Sequence, residues 1–308
     1  MTDTPQSTAA PSRRFAWRRL VQYRLRTLLI LTTICAVWLA WWSNSARVQR
    51  EAVAAIRLKG GSVRYDGSLV WPEWLVSALG EDYFFIVLGA DLNQPEITDA
   101  ELEHVKRLKT LQGLSLWGSK VTDASLENLE GLSQLERLIL TNTQVSDSGL
   151  KHLKGLSSLN RVLLANTRIT DAGLELLKGL TAMKLLLLDD TQVSDSGLEH
   201  LAGMDSLDEL CLRNTQVTDA GLEHLKGLPS LISLDLSNTS VTDAGLEHLK
   251  GFTAMIRLQL ADTRVSDSGL ELLEGMTDLI ELDLRNTQVT NARVARLKQA
   301  LKRCEIKR

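Results

Sequence analysis

The sequence predicts an α/β solenoid that is curved, with a parallel sheet on its concave face, short helices on its convex face and one transmembrane helix before it. Three observations predict this. β-Branched apolar residues recur every 24 positions without insertion, at Ile97, Val121, Val145, Ile169, Val193, Val217, Val241, Val265 and Val289. Each interval holds one stretch with strand periodicity and one with helical periodicity. An apolar run with arginines crowded on one side precedes the array.

Residues 1–26 read as a disordered, basic cytoplasmic tail, with Pro5, Pro11 and six arginines from Arg13 to Arg26. Residues 27–45 read as the transmembrane helix. Leu28 to Trp42 is apolar apart from Thr32 and Thr33, and Thr27 to Ser43 gives 17 residues, at the lower edge of what crosses a bilayer. Only Arg47 and Arg50 follow closely, so the positive-inside rule keeps the N-terminus cytoplasmic and exports the repeats, giving a single-pass membrane protein. Trp38, Trp41 and Trp42 then fall at the far interface. Ser43 and Ser45 have the small-residue spacing of a cleavage site, which would release a secreted chain starting at Ala46; the tryptophans and the long basic lead favour a retained signal anchor.

Residues 46–83 are expected to form a juxtamembrane module, and residues 84–308 the repeat domain with its caps. One unit reads [VI]-[ST]-D-[AS]-G-L-x-x-L-x-G-L-x-x-L-x-x-L-x-L-x-N-T-x. Around Leu138 and Leu140 alternation gives a half-buried strand, with Arg137, Ile139 and Thr141 on the other face. Thr218 before Asp219 suits a helix start, with the carboxylate against the helix dipole, and Gly227 suits its end. A lone unit cannot bury both apolar faces, whereas stacked copies can. Strands stack at about 4.8 Å and helices at about 8–10 Å, which bends the stack towards the sheet.

The L-x-x-L-x-L run followed by a polar residue resembles the leucine-rich repeat, with Thr143, Thr167, Thr191, Thr215, Thr239, Thr263 and Thr287 where that signature carries Asn or Cys. These hydroxyls are expected to meet neighbouring backbone groups. Phe84, Val87, Ala90 and Leu92 read as an N-terminal cap strand, and Asn291 onward as a basic capping helix. From about Arg24, the RTLL stretch, the apolar span, the GG turn, V-x-Y, WP-x-WL and LGEDYF resemble short single-pass leucine-rich repeat proteins of planctomycete-type bacteria. That resemblance implies a membrane-associated repeat protein.

Residues 1–50 hold eight arginines and one acid, a charge of +7, which leaves −10 for the rest. An acidic remainder without a cationic stripe excludes nucleic acid as the main partner. Cys35, Cys211 and Cys304 are single and far apart, giving neither a disulfide framework nor a zinc spacing. His104, His152, His200, His224 and His248 share one helix column, too far apart for a common ion, so no metal or other cofactor is expected. The chain contains no phosphate loop, nucleophile elbow or HExxH, and neither catalysis nor a small-molecule substrate is expected.

The varying letters point to a concave binding face for a protein or a surface polymer. Ile139, Leu163, Leu187 and Cys211 form a stripe beside Leu185 and Trp117, rimmed by Arg137, Arg161, Glu209, Asp189 and Arg213 and followed in its own column by Asp235, a dry centre with a polar edge. The alternative is a recognition adaptor resembling the repeat half of F-box proteins. Such an adaptor needs a recruiting domain, where residues 1–90 offer an apolar span.

Overall fold

A computed structural model describes the backbone of residues 13–67 and 71–308, and side chains from residue 27 onward. Helix α1 (Arg13–Leu58) is followed by strand β1 (Ser62–Tyr65), helix α2 (Glu73–Leu79) and strand β2 (Val87–Asp91). Each repeat then contributes one three-residue strand: β3 (Gly113–Ser115), β4 (Arg137–Ile139), β5 (Arg161–Leu163), β6 (Leu185–Leu187), β7 (Glu209–Cys211), β8 (Ser233–Asp235), β9 (Arg257–Gln259), β10 (Glu281–Asp283) and β11 (Glu305–Lys307). They form one sheet in sequence order, parallel except for β1, which pairs antiparallel with β2. Register advances by one period per strand, so Leu138, Val162, Leu186 and Leu210 line up and are fully buried. The β-branched column Ile97 to Val289 lies at 0–1 % exposure throughout. At about 1.5–3 kcal/mol for each buried Leu or Val, this core is the main term holding the stack together.

The recurring Asp has a larger task than the dipole role expected of it. Asp99, Asp123, Asp147, Asp171, Asp195, Asp219, Asp243 and Asp267 each accept two hydrogen bonds from the Thr or Ser just ahead of the next helix, 23 residues on. The backbone N–H donates at 2.6–2.8 Å and the hydroxyl at 2.5–2.8 Å. These are charge-assisted bonds between neighbouring repeats. The glycine in D-x-G makes room for them: a Cβ at Gly197 would stand 2.4 Å from Asp171 Oδ1. Burial pushes the Asp123 carboxyl upward, but the bonds from Ser146 and Ser148 outweigh it and hold the group below its ordinary range.

The Thr column meets backbone groups as expected, each hydroxyl donating at 2.5–2.7 Å to the carbonyl three residues before it, as Thr191 does to Leu188. The residue before each Thr (Asn142, Asn166, Asp190, Asn214, Asn238, Asp262, Asn286) is left-handed, at φ of 51–59°. Asn and Asp tolerate that region best among residues with a Cβ, and Gly118 fills the place in an earlier unit. Their side chains also bond across repeats, Asn238 Nδ2 donating to Asn214 Oδ1 at 2.7 Å. The helix side is less regular than the strands, since Gly221–Gly227 is a 3-10 helix.

At the N-terminus α1 starts at Arg13, so residues 13–26 are helical rather than disordered; residues 1–12 of the expected tail lie outside the described residues. Leu, Arg and Gln are good helix formers, and no Gly or Pro interrupts a helix already nucleated by the apolar run. The same helix continues to Leu58, where Ala52, Val53 and Ile56 enter the solenoid's own core beside Val87. The end of α1 and β1 thus share one core with the repeats, with α1 as its lid. Gly60, at φ 79°, turns the chain into β1, and Lys59 pairs with Glu101 at 3.0 Å. Burial raises the Glu101 carboxyl, but bonds from Thr98 and Lys59 win and bring it down to about 2.

The C-terminus also departs from expectation. The capping helix stops at Ala300 and the chain adds β11 as a last parallel strand. Ile306 stands one 24-residue period after Leu282 and pairs with it, so the strand position persists beyond the helix. Arg293, buried in that helix, donates to Glu274 at 2.8 Å and to the Asp267 carbonyl at 3.1 Å.

Candidate functional site

Strand register brings the expected stripe together. Ile139, Leu163, Leu187 and Cys211 are partners on consecutive strands, with Ser115 before them and Asp235 after. All four are half-buried by their neighbours. At strand spacing they cover about 14–15 Å of the sheet's outer face. Leu185 follows Arg161 in the adjacent column and widens the stripe there. Trp117 flanks its start with 51 % of its surface exposed, its backbone N–H donating to Asn93 Oδ1 at 3.0 Å.

Charge changes character along this face. Arg137 and Arg161 stand side by side and exposed. Arg64 of β1 reaches the same place: its guanidinium lies 3.0 Å from where a Cβ would stand at Gly89 and 3.7 Å from that point at Gly113. The three arginines and Lys184 line a polar recess of about 380 Å³ with Glu136 as its acid. Sequence reading missed Arg64, although glycine in two register positions ahead of Arg137 and Arg161 was the available signal. Toward the other end the face is of mixed charge, with Glu209, Asp235, Glu281 and Asp283 beside the exposed Arg257 and Arg285. Asp283 is held by Arg285, which donates from Nε at 2.9 Å and Nη2 at 2.5 Å. Arg213, expected on the rim, is exposed beside Asp235 in a second charged recess.

Where the stripe meets this mixed-charge end, Asp189, Cys211 and Asp235 each place a potential ligand atom within 4.8 Å of the others. Register explains the convergence, because Cys211 and Asp235 are partners and Asp189 sits two residues beyond Leu187, the residue paired with Cys211. Burial first, then the charge of Asp235, raises Asp189 to about 6, and burial likewise pushes the Cys211 thiol upward. The folded chain therefore holds a proton on Asp189 between the ordinary value of 3.8 and about 6, and its stability falls as pH rises through that window. Asp189→Asn is expected to stabilise by about 1–2 kcal/mol near pH 7.5, after allowance for solvent screening, and to be neutral near pH 4. Urea titrations at the two pH values check this; equal effects at both would remove burial of the charge as the cause.

The histidines lie on the helix side, where His152 Nδ1 meets Glu130 Oε1 at 2.6 Å. The helix side also carries a recess of about 360 Å³ beside Pro229 and Phe252.

The leucine rich repeat family model matches residues 227–250, one whole period. No curated protein gives a significant sequence match. Among solved structures, an internalin (inlF) from Listeria monocytogenes is 17 % identical, with 75 % of this chain and 85 % of that chain covered and a TM-score of 0.45. Internalin C2 (inlC2) from the same species is 22 % identical, with 75 % and 88 % covered and a TM-score of 0.47. With every other unit in register with the matched one, the array as a whole has the leucine-rich repeat fold.

Proposed function

We propose that this protein is a membrane-anchored binding module of the cell envelope, whose exported repeat domain engages a protein partner through the outer face of its sheet. The observation that carries this reading is the in-register stripe Ile139, Leu163, Leu187 and Cys211, set between Arg137 and Arg161 on one side and Asp235 on the other. An apolar centre with a charged rim is how an interface excludes water and selects orientation. Surface polymer is the less favoured ligand, since a half-buried aliphatic stripe offers it few hydrogen bonds.

Several features support anchoring. The segment Thr27–Leu58 contains a window apolar enough to span a bilayer, and none of that window is buried against the rest of the protein, which speaks against a core helix. Thr32 and Thr33 turn their hydroxyls back to the Leu29 carbonyl, so neither polar group is stranded in lipid. Retention rather than cleavage fits the unbroken helix through Ser43 and Ser45, with Ala46 already buried. The basic flank supports a cytoplasmic N-terminus.

The test is crosslinked capture from native envelopes, with full-length wild type beside a Leu163→Asp/Leu187→Asp variant shown to fold by circular dichroism. Loss of two desolvated leucines is worth ~3 kcal/mol, so recovery of the partner is expected to fall about a hundredfold. Equal recovery by both proteins would move the binding site off the stripe. Protease added from outside should digest the repeats in spheroplasts, and protection there would reverse the topology.

A further inference from the structure

Helix α2 and the residues before it present an apolar surface that the fold leaves uncovered. None of the residues of Glu73–Leu79 is buried, although the helix carries Trp74, Leu75, Val76, Ala78 and Leu79. Trp74 is 71 % exposed, and Trp71, Leu79 and Ile86 also stand open. An apolar patch of this kind on a folded chain signals an interface.

The position of the patch identifies what covers it. Trp42, at the end of the apolar run, packs edge-on against Tyr83 at 5.8 Å and against Phe84 at 6.2 Å. Phe84 in turn meets Trp71 at 5.1 Å, so a single ring separates the end of the span from the patch. Trp38 stacks on Trp42 at 6.0 Å, while Trp41 faces outward. The segment is fixed in place: Arg50 covers the Tyr83 ring at 5.1 Å and donates to the Leu79 carbonyl, and Gln49 donates to the Phe85 carbonyl at 2.8 Å. Arg57 pairs with Glu81 at 3.6 Å on the side away from the span. Indole rings with one apolar and one polar edge favour the headgroup level of a bilayer.

We propose that Trp71, Trp74 and Leu79 enter the headgroup layer of the exported leaflet beside Trp38 and Trp41, forming a second membrane contact that sets the tilt of the repeat domain. This rests on the anchoring reading. The span alone fixes where the protein is held; the second contact fixes how it leans, and so which way the sheet face points.

The test uses the full-length protein in phosphatidylcholine nanodiscs, with and without bromine near the headgroup end of the acyl chains. Subtracting the emission of Trp74→Phe from wild type isolates Trp74, and Trp41→Phe isolates Trp41 in the same way. Bromine is expected to reduce the emission of both about twofold, as for interfacial indoles. Quenching of Trp41 with Trp74 unaffected overturns the second contact and leaves the anchor standing, and a covering by a second copy of the chain gives that same result. Quenching of neither overturns the contact and the anchor together. Trp71→Phe supplies an independent reading should Trp74→Phe fail to fold.

Discussion

Asp171→Ala is expected to lower the unfolding free energy by about 3 kcal/mol and, in the same chain, to make Gly197→Ala nearly harmless. Asp171 accepts from the Ser194 N–H at 2.7 Å and from its hydroxyl at 2.6 Å, so truncation removes two charge-assisted bonds and strands a backbone donor. Gly197→Ala alone sets a Cβ 2.4 Å from Asp171 Oδ1 and 3.1 Å from Leu174 Cδ1, an overlap worth about 2 kcal/mol or more. Without the Asp171 carboxylate most of that overlap disappears, and alanine's helix propensity offsets part of the remainder. The check is a double-mutant cycle by urea unfolding. If the two losses add to within about 0.5 kcal/mol, the glycine is not there for the carboxylate and the coupling fails.

Ile56→Ala is expected to cost about 3 kcal/mol and to loosen one end of the molecule selectively. Ile56 is fully buried at the end of α1, and the turn behind it is tight, since a Cβ at Gly61 would stand 2.7 Å from Ile56 Cγ2. Alanine leaves a cavity where the first strands are sealed from water. In a stack stabilised by neighbours, damage at a terminal unit spreads only a short way. Hydrogen exchange should therefore show protection lost in β1 to β3 and kept in β8 to β10. A loss below about 1 kcal/mol with unchanged exchange would mean that α1 leans on the solenoid without sealing it.

The valine column, the strand at each L-x-L and the alignment of Ile139 with Leu163, Leu187 and Cys211 were legible because all repeat at fixed spacing, and the structure keeps that spacing in its register. What escaped depends on pairs that sequence distance hides. Asp171 looks like a helix-start residue until its partner is found 23 residues away in the next unit. The Asn column was visible but its meaning lay in φ; only Gly, Asn and Asp occupy it from Gly118 to Asn286, the residue types that tolerate the left-handed region. Arg64 reaches the sheet face from β1, outside the repeat columns, and β11 was hidden by reading the last basic residues as one helix. The helical course of residues 13–26 was masked by their charge, which resembles that of a tail.

Because every Asp clamps the next unit in the same way, the array has a natural quantum of length. Removing any 24 consecutive residues from the middle would return each carboxylate to a Ser or Thr and each left-handed Asn to another, with no seam to repair. Removing 23 would misplace every clamp at the junction. Such a scaffold changes size by whole copies, and each copy gained or lost moves the apolar stripe, the paired arginines and the mixed-charge end nearer together or farther apart by one strand width of about 4.8 Å. Spacing between contact groups is thus available for variation independently of the fold that carries them.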